Sequence, residues 1–290
     1  MRVKKIREQK RRYENMKKKL LLLLAALTVI ATAFVITGCG GDEEKADWDY
    51  IEENGKIIVG LDATFAPMGF TDKDDNIVGF DVDLAKAVGE KLGVEMEFKS
   101  IDWDAKYTEL DAKNIDCIWN GMSATPERAE KLSLSKEYFN NKIVVMTLKD
   151  DVKVDKAEDL ANYNIGIQAD SSALEAVKGN KAYDSFKDKI KEYKSYDDAI
   201  TDMQAGRMDC VIIDEVLGNY KNTKMDNALK ECKFDFGDDF YAIGFRKDDT
   251  ELTSKVNDAL QELIDEGEAA KISKKWFGKD LVILQDYEEK

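Results

Sequence analysis

One short pattern occurs twice in this chain, and it limits the folds available. Residues 110–117 (LDAKNIDC) end a run of helical spacing, turn, and enter an apolar strand through Asp116-Cys117. Residues 203–210 (MQAGRMDC) do the same through Asp209-Cys210. Around the first copy, residues 56–61 (KIIVGL) form a β-rich apolar run. Asp81 then opens a helix with Leu84, Ala85, Val88 and Leu92 on one face and Gly93 just past its end. Val94, Met96 and Phe98 alternate as a strand. Trp103, Tyr107 and Leu110 recur at helical spacing, and residues 115–119 (IDCIW) make another short strand. Around the second copy, residues 164–168 (NIGIQ) read as a strand, and Ser171 or Ser172 caps a helix carrying Leu174 and Val177. Residues 190–194 make a short strand, Ile200 and Met203 mark a helix ending at Gly206, and residues 210–213 are a strand. Strand–helix alternation of this kind predicts an α/β chain of two similar lobes, each a parallel sheet flanked by helices. Strands at 143–148 and 240–246 flank the second lobe and serve as crossovers. The last helical segment, with Val256, Leu260, Leu263, Ile264, Ile272 and Trp276, packs back on the first lobe. Lobe one is thus expected at 55–145 and 240–290, with lobe two inserted at 146–239.

The first forty residues read as an address. Residues 2–19 are strongly basic, Leu20 to Ile36 is a run of seventeen uncharged, mostly apolar residues, and Ile36-Thr37-Gly38-Cys39 follows. A basic start, an apolar stretch and a small-residue site make a secretory signal. Cysteine directly after Ile-Thr-Gly resembles a bacterial lipobox. That resemblance implies removal of residues 1–38 and acylation of Cys39, with palmitate as one such group. The alternative is an uncleaved transmembrane anchor, since the stretch is just long enough to span. Met16 is a second candidate start. On either reading the body is expected outside the cytoplasmic membrane, held to it through a short acidic tether at 39–54.

Charge and composition remove several functions. The chain carries −15, yet residues 1–38 hold ten Lys/Arg and two Glu, which leaves −23 for the rest. A body this acidic repels nucleic acid and anionic headgroups, so no nucleic-acid partner is expected. There is no histidine. That excludes Ser-His-Asp and Cys-His nucleophile systems and removes the commonest metal ligand. No metal and no cofactor are expected. Cys117, Cys210 and Cys232 are an odd set, which is not a disulfide framework. Cys117 and Cys210 fall in strands and read as buried small hydrophobes.

In open parallel sheets ligands bind beyond the carboxyl ends of strands. That rule selects residues 62–68, 100–103, 120–128, 169–172 and Asp214-Glu215, and two facing lobes point them at one cleft. Arg128 can grip a carboxylate with two parallel hydrogen bonds. Asp214 can accept from an ammonium. Ser171 and Ser172 lie at a helix start, whose free amides favour an anion. Phe65 and Trp103 offer flat apolar walls. A fixed cation, a fixed anion and two aromatic walls suit an α-amino acid.

Residues 79–85 (GFDVDLA) resemble the signature of the polar-amino-acid family of ABC-transporter solute-binding proteins. Residues 121–128 (GMSATPER) resemble that family's G-M-[ST]-x-T-x-x-R segment, and residues 165–168 with the following serines, then Asp214-Glu215, fall in its order and spacing. The match covers about residues 50–280 and implies a two-lobed, type II periplasmic-binding-protein-like fold with two hinge crossover strands. It further implies that Arg128 binds the ligand α-carboxylate and Asp214 the α-amino group. Asn120, Gly121 and Ser123 would hydrogen-bond the ligand, Phe65 and Trp103 would stack on it, and Ser171 and Ser172 would cap its carboxylate from lobe two. The sequence departs from the family at Asp170, where a glycine is usual. A carboxylate there either clashes with the ligand carboxylate or points to solvent.

Bland readings stand beside these. Arg128 could be a surface helix arginine paired with Glu127 or Glu130, and Asp214 a loop acid among many. Trp103 and Phe65 could be core or hinge packing, and the serines plain N-caps. Asp62 either reads a basic ligand side chain or shapes the loop before Pro67. In the GFDVDLA stretch, Asp81 is read as N-cap and Gly79 as turn. Three classes of function remain. The first is a monomeric transport receptor that closes on a small polar amino acid, basic or cystine among the candidates, and hands it to an ABC permease. The second is an enzyme on the same scaffold, a lyase using Asp62, Asp170 or Glu215 as general acid, although no motif pairs two carboxylates. The third is a sensor, which is expected to add a transmembrane helix and a cytoplasmic domain.

Overall fold

The structure is a computed structural model that describes residues 47–288. The basic and apolar leader, Cys39 and the first part of the tether lie outside the described residues. Helix α1 (Asp47–Asn54) leads into β1 (Lys56–Leu61). A small antiparallel sheet of β2 (Thr64–Phe65), β3 (Gly69–Thr71) and β4 (Ile77–Val78) follows. Then come α2 (Phe80–Leu92), β5 (Glu95–Ser100), α3 (Lys106–Asp111), β6 (Cys117–Ile118), α4 (Pro126–Lys131) and β7 (Leu132–Leu134). The chain crosses through β8 (Glu137–Thr147) into β9 (Ile165–Gln168), α5 (Ser172–Gly179), α6 (Tyr183–Phe186), β10 (Ile190–Tyr193), α7 (Tyr196–Gln204), β11 (Cys210–Asp214) and α8 (Glu215–Thr223). It returns through β12 (Lys230–Tyr241) to β13 (Gly244–Arg246), α9 (Thr250–Asp265), α10 (Glu268–Phe277) and β14 (Val282–Gln285).

Two larger sheets organise these elements. The first is five-stranded in the order β5-β1-β6-β13-β7, and the second six-stranded in the order β10-β9-β11-β8-β12 with β14 on β8. The strands joined by helical crossovers are parallel: β1 with β5 and β6, and β9 with β10 and β11. Strands β8, β12, β13 and β14 pair antiparallel. Parallel pairing follows from the apolar runs that alternate with helices. Ile57, Val59 and Leu61 of β1 are fully buried, as are Leu84, Ala85 and Val88 on the facing stripe of α2. Cys117 and Cys210 are buried in strands and unpaired.

The expected lobe limits shift at three places. Strand β8 already pairs with β11 from Ile143, so residues 143–145 belong to the second sheet rather than to lobe one. The C-terminal β14 pairs with the start of β8 at Phe139 and Glu137, so the tail joins the crossover strand itself. Residues 47–54, expected as the end of the acidic tether, form α1. Its acidic composition hides an apolar pair at helical spacing, Trp48 and Ile51, and both are buried. Asp47 accepts the Leu252 backbone N–H at 3.0 Å, and the Lys255 ammonium sits 4.7 Å over the Trp48 ring, which tie α1 to α9.

Helix α1 is therefore part of the folded body. Ile51→Ala is expected to lower unfolding stability by about 2–5 kcal/mol, the cost of emptying a closed core position. Denaturant unfolding measures it, and an unchanged midpoint would make α1 a mere tether.

Candidate ligand-binding site

The carboxyl ends of β1, β6, β9 and β11 converge on one small, tightly closed-up cavity. Phe65, Trp103, Asn120, Gly121, Arg128, Gln168, Ser171, Ser172 and Asp214 line it. Eight of these are residues that the sequence singles out. The other two, Asp62 and Ser123, stand directly behind the wall.

Arg128 sits on α4, whose start is fixed by Pro126 in the first turn and by the Thr125 hydroxyl, which accepts the Arg128 backbone N–H at 3.3 Å. Its side chain is 1% exposed, which removes the reading of a surface helix arginine. Nη1 donates to the Ser123 carbonyl at 3.1 Å, and the guanidinium carbon lies 5.9 Å from the Trp103 ring centre. Across the cleft, Glu175 of α5 approaches Nη2 at 3.2 Å. Nε and Nη2 make no hydrogen bond of good geometry. The Asn120 Nδ2 and the Tyr196 hydroxyl are likewise buried without a partner. Unpaired buried donors are rare in folded proteins, and these gather at one cavity.

Opposite Arg128, the last residue of β11 supplies Asp214, which is 3% exposed. Its Oδ1 accepts from Asn141 Nδ2 at 2.8 Å and from the Tyr241 hydroxyl at 2.7 Å. The same Asn141 amide donates to Asp239 Oδ2 at 2.9 Å. Ser123 Oγ lies 2.7 Å from that Asp239 oxygen and 2.8 Å from the Ser172 hydroxyl. Asp214 and Asp239 thus form a carboxyl pair bridged by one amide, although the sequence offers no motif for a pair. Burial, and then the charge of Asp239, push Asp214 up to about 7; burial raises Asp239 to about 6.

The remaining candidates divide between lining and support. Phe65 faces Tyr196 across the cleft, with ring centres 6.4 Å apart. Trp103 lines the cavity and also packs with Leu110, Ile115 and Met122, so the wall and core readings hold together. Ser171 caps α5, accepting the Leu174 N–H at 3.2 Å and donating to the Gln168 carbonyl at 2.8 Å. Asp62 has both oxygens engaged: Oδ1 takes the Thr64 N–H and hydroxyl, and Oδ2 takes Gln168 Nε2 at 2.8 Å. It shapes the loop and joins the lobes. The Asn120 side-chain carbonyl holds the Asp62 N–H at 3.0 Å.

Asp81 is a correction. It is not the N-cap of α2; Gly79 holds that position, and Asp81 lies in the first turn. Its carboxyl is buried and accepts the Gly121 N–H at 2.7 Å and the Tyr138 hydroxyl at 2.8 Å. Burial pushes this carboxyl up to about 7. Gly121 has φ +55°, and a Cβ there would meet Phe65 at 2.8 Å. The signature segment therefore holds the glycine that forms the cavity floor. At the Asp170 departure, the half-exposed carboxylate pairs with Lys106.

Sequence reasoning missed Asn141, Gln168, Glu175, Tyr196, Asp239 and Lys106. Gln168 and Tyr196 carried a signal, since both fall at the carboxyl ends of β9 and β10. Asp239 and Asn141 lie inside the crossover strands, where no strand-end rule points.

Residues 57–279 match the model of the bacterial extracellular solute-binding proteins, family 3. The arginine-binding extracellular protein ArtP of Bacillus subtilis is 33% identical over 255 residues, covering 87% of this chain and 96% of its own length. The L-cystine-binding protein TcyA of Bacillus subtilis is 30% identical over 266 residues, covering 88% and 96%. Among solved structures, an ABC uptake transporter substrate-binding protein from Streptococcus pneumoniae with bound histidine has a TM-score of 0.78 at 36% identity, covering 82% of this chain and 99% of that one. With a matching family model over most of its body and relatives aligned nearly end to end, this chain belongs to the bacterial extracellular solute-binding proteins, family 3.

Proposed function

We propose that this solute-binding protein captures one polar amino acid as a zwitterion between its two sheets and presents it to an ABC-importer permease. One observation carries the reading. Arg128, on α4 of the first lobe, and Asp214, ending a strand of the second sheet, line the same small cavity with unpaired donors beside the arginine. A carboxylate suits the two guanidinium nitrogens, and an ammonium suits the carboxyl pair. Phe65 and Trp103 would stack on the carbon skeleton. Acids around the cavity outnumber bases, and the relatives are named for arginine and cystine. Both facts favour a cationic or strongly polar side chain, so arginine, lysine, histidine and cystine are the first ligands to assay.

The five-stranded sheet serves as lobe one and the six-stranded sheet as lobe two, with β8 and β12 as the hinge about which they close. The protein acts as a monomer, anchored outside the cytoplasmic membrane by an acyl group on Cys39, which raises its concentration near the permease. Among the described residues no helix is long and apolar enough to cross a membrane. Among the described residues, the Asp214–Asp239 pair is a feature that an enzyme could use. Calorimetry against the common amino acids should give tight binding without turnover, and product formation would favour the lyase.

Three outcomes are expected. Arg128→Ala should weaken binding by about 2–5 kcal/mol in calorimetry while leaving the circular dichroism spectrum unchanged; normal affinity would sink the assignment. The carboxyl pair is raised toward neutrality, and a bound ammonium favours its ionised form. Affinity should therefore fall as pH drops below about 7, with protons released on binding. Calorimetry in buffers of different ionisation heat reads that release, and Asp239→Asn should reduce it. Cys39→Ser should move the protein from the membrane to the soluble fraction, and retention in the membrane would support an uncleaved span instead.

A further inference from the structure

Lys106 is a lysine without solvent. Its side chain is 0% exposed, although it opens a short surface helix. An ammonium has three donors and no acceptor, and all three find partners here. Nζ donates to the Trp103 carbonyl at 3.3 Å, to the Asp170 carbonyl at 3.2 Å and to the Asp170 carboxylate. The Trp103 and Tyr107 rings flank it at 4.9 and 4.6 Å. Asp170 lies in the other lobe, directly before the cap of α5. Its φ of +55° is a left-handed conformation that non-glycine residues seldom adopt. In that conformation it turns both its carbonyl and its carboxylate to one ammonium.

We infer that Lys106 is a positioning residue for capture: by reaching across the cleft to Asp170 it holds the start of α5 against the Trp103 wall and slows release of the bound amino acid. The inference rests on the proposed amino-acid receptor function. The physical basis is differential contact. Lys106 and Asp170 belong to different lobes, so their bond exists only when the cleft is closed, and a contact made in one state alone shifts the balance toward that state. Burying an unpaired ammonium is costly, so the closed form depends on the partner. Another cross-cleft pair, Lys194 with Asp102 at 3.3 Å, is exposed on both sides. Exposed pairs contribute little, which makes it the control.

The test is stopped-flow release of bound amino acid from the full-length protein. Lys106→Met keeps the apolar stem, and Asp170→Gly suits the left-handed backbone, so both variants should fold. Lys106→Met should release ligand about tenfold faster or more. Asp170→Gly should release it faster still, because it leaves Lys106 buried without its counter-charge. The double variant should return toward Lys106→Met, and Lys194→Met should behave as wild type. Association rates should change little, which separates a latch from a damaged cavity. The groups facing the ammonium are Tyr107 on its own helix, Arg128 and Lys131 on α4, Asp170, and Glu175 on α5. Burial, then Arg128, lower Lys106 to about 8, so wild-type release should accelerate above that pH while Lys106→Met stays flat. Equal release rates for wild type, Lys106→Met and Asp170→Gly would overturn the inference, even with Arg128→Ala binding-dead. A wild type that binds no amino acid would instead overturn the receptor reading. X-ray scattering of the ligand-free chain would then judge the latch alone, with a more open Lys106→Met supporting it and identical profiles refuting it.

Discussion

A guanidinium shut away from water needs its charge answered on every side, and at Arg128 the answers come from parts of the chain that meet only in the folded, closed molecule. The Ser123 carbonyl lies five residues away on the same lobe, the Trp103 ring comes from the turn after β5, and the Glu175 carboxylate arrives from α5 of the other lobe. Removing any one leaves a buried cation short of compensation, which is far costlier than losing a surface contact. The cation thus does two things at once. It makes closure depend on lobe two bringing a carboxylate, and it leaves two nitrogens without good hydrogen bonds.

Behind that cation, the site is built from backbone that has been made rigid by buried acids. Asp81 fastens the Gly121 N–H and the Tyr138 hydroxyl together, and Tyr138 belongs to the crossover strand β8. Gly79 enters this arrangement with φ +148°, and a Cβ there would run into the Met68 carbonyl at 2.1 Å. The start of α2, the floor of the cavity and the hinge strand are therefore one connected unit. A change of strand geometry at the hinge reaches the cavity floor through two hydrogen bonds, without any contact to ligand.

How much of this could be read from the sequence depends on how far apart the interacting residues lie. The apolar runs of β1, β9 and β11 and the stripe of α2 are local signals, and their order settles the parallel strands. Arg128 and Asp214 were legible because each follows a buried strand, where a general rule of open sheets places ligands. The Asp214–Asp239 pair was not. Asp239 lies in β12, on an alternating stretch that reads as an ordinary crossover, and only antiparallel pairing of β12 with β8 lays it beside Asn141. Lys106 was hidden for a similar reason: next to Trp103 and Tyr107 it reads as an exposed position on a short helix, and its partner is 64 residues away. Helix α1 was missed because its acids outvote Trp48 and Ile51 in composition, although not in packing. Among the missed residues, pairings across the cleft or between crossover strands recur.

The two ends of the cavity differ in what they tolerate. At the arginine end, one cation is already met by Glu175, so an incoming carboxylate must compete with that glutamate or displace it. At the other end, Asp214 and Asp239 share an amide from Asn141, and Tyr241 adds a phenol; both partners are neutral. Neutral donors ease the desolvation of two carboxylates but do not cancel their charge. Burial, and for Asp214 also the charge of Asp239, holds both carboxyls above the usual carboxylate range. A cation entering there would offset the charge of the pair, whereas an anionic side chain would add a further negative group at a buried site where charges are weakly screened. The second acid, contributed by a strand that looks purely structural, would therefore bias the whole site against acidic amino acids, beyond the carboxylate and ammonium recognition proposed for Arg128 and Asp214.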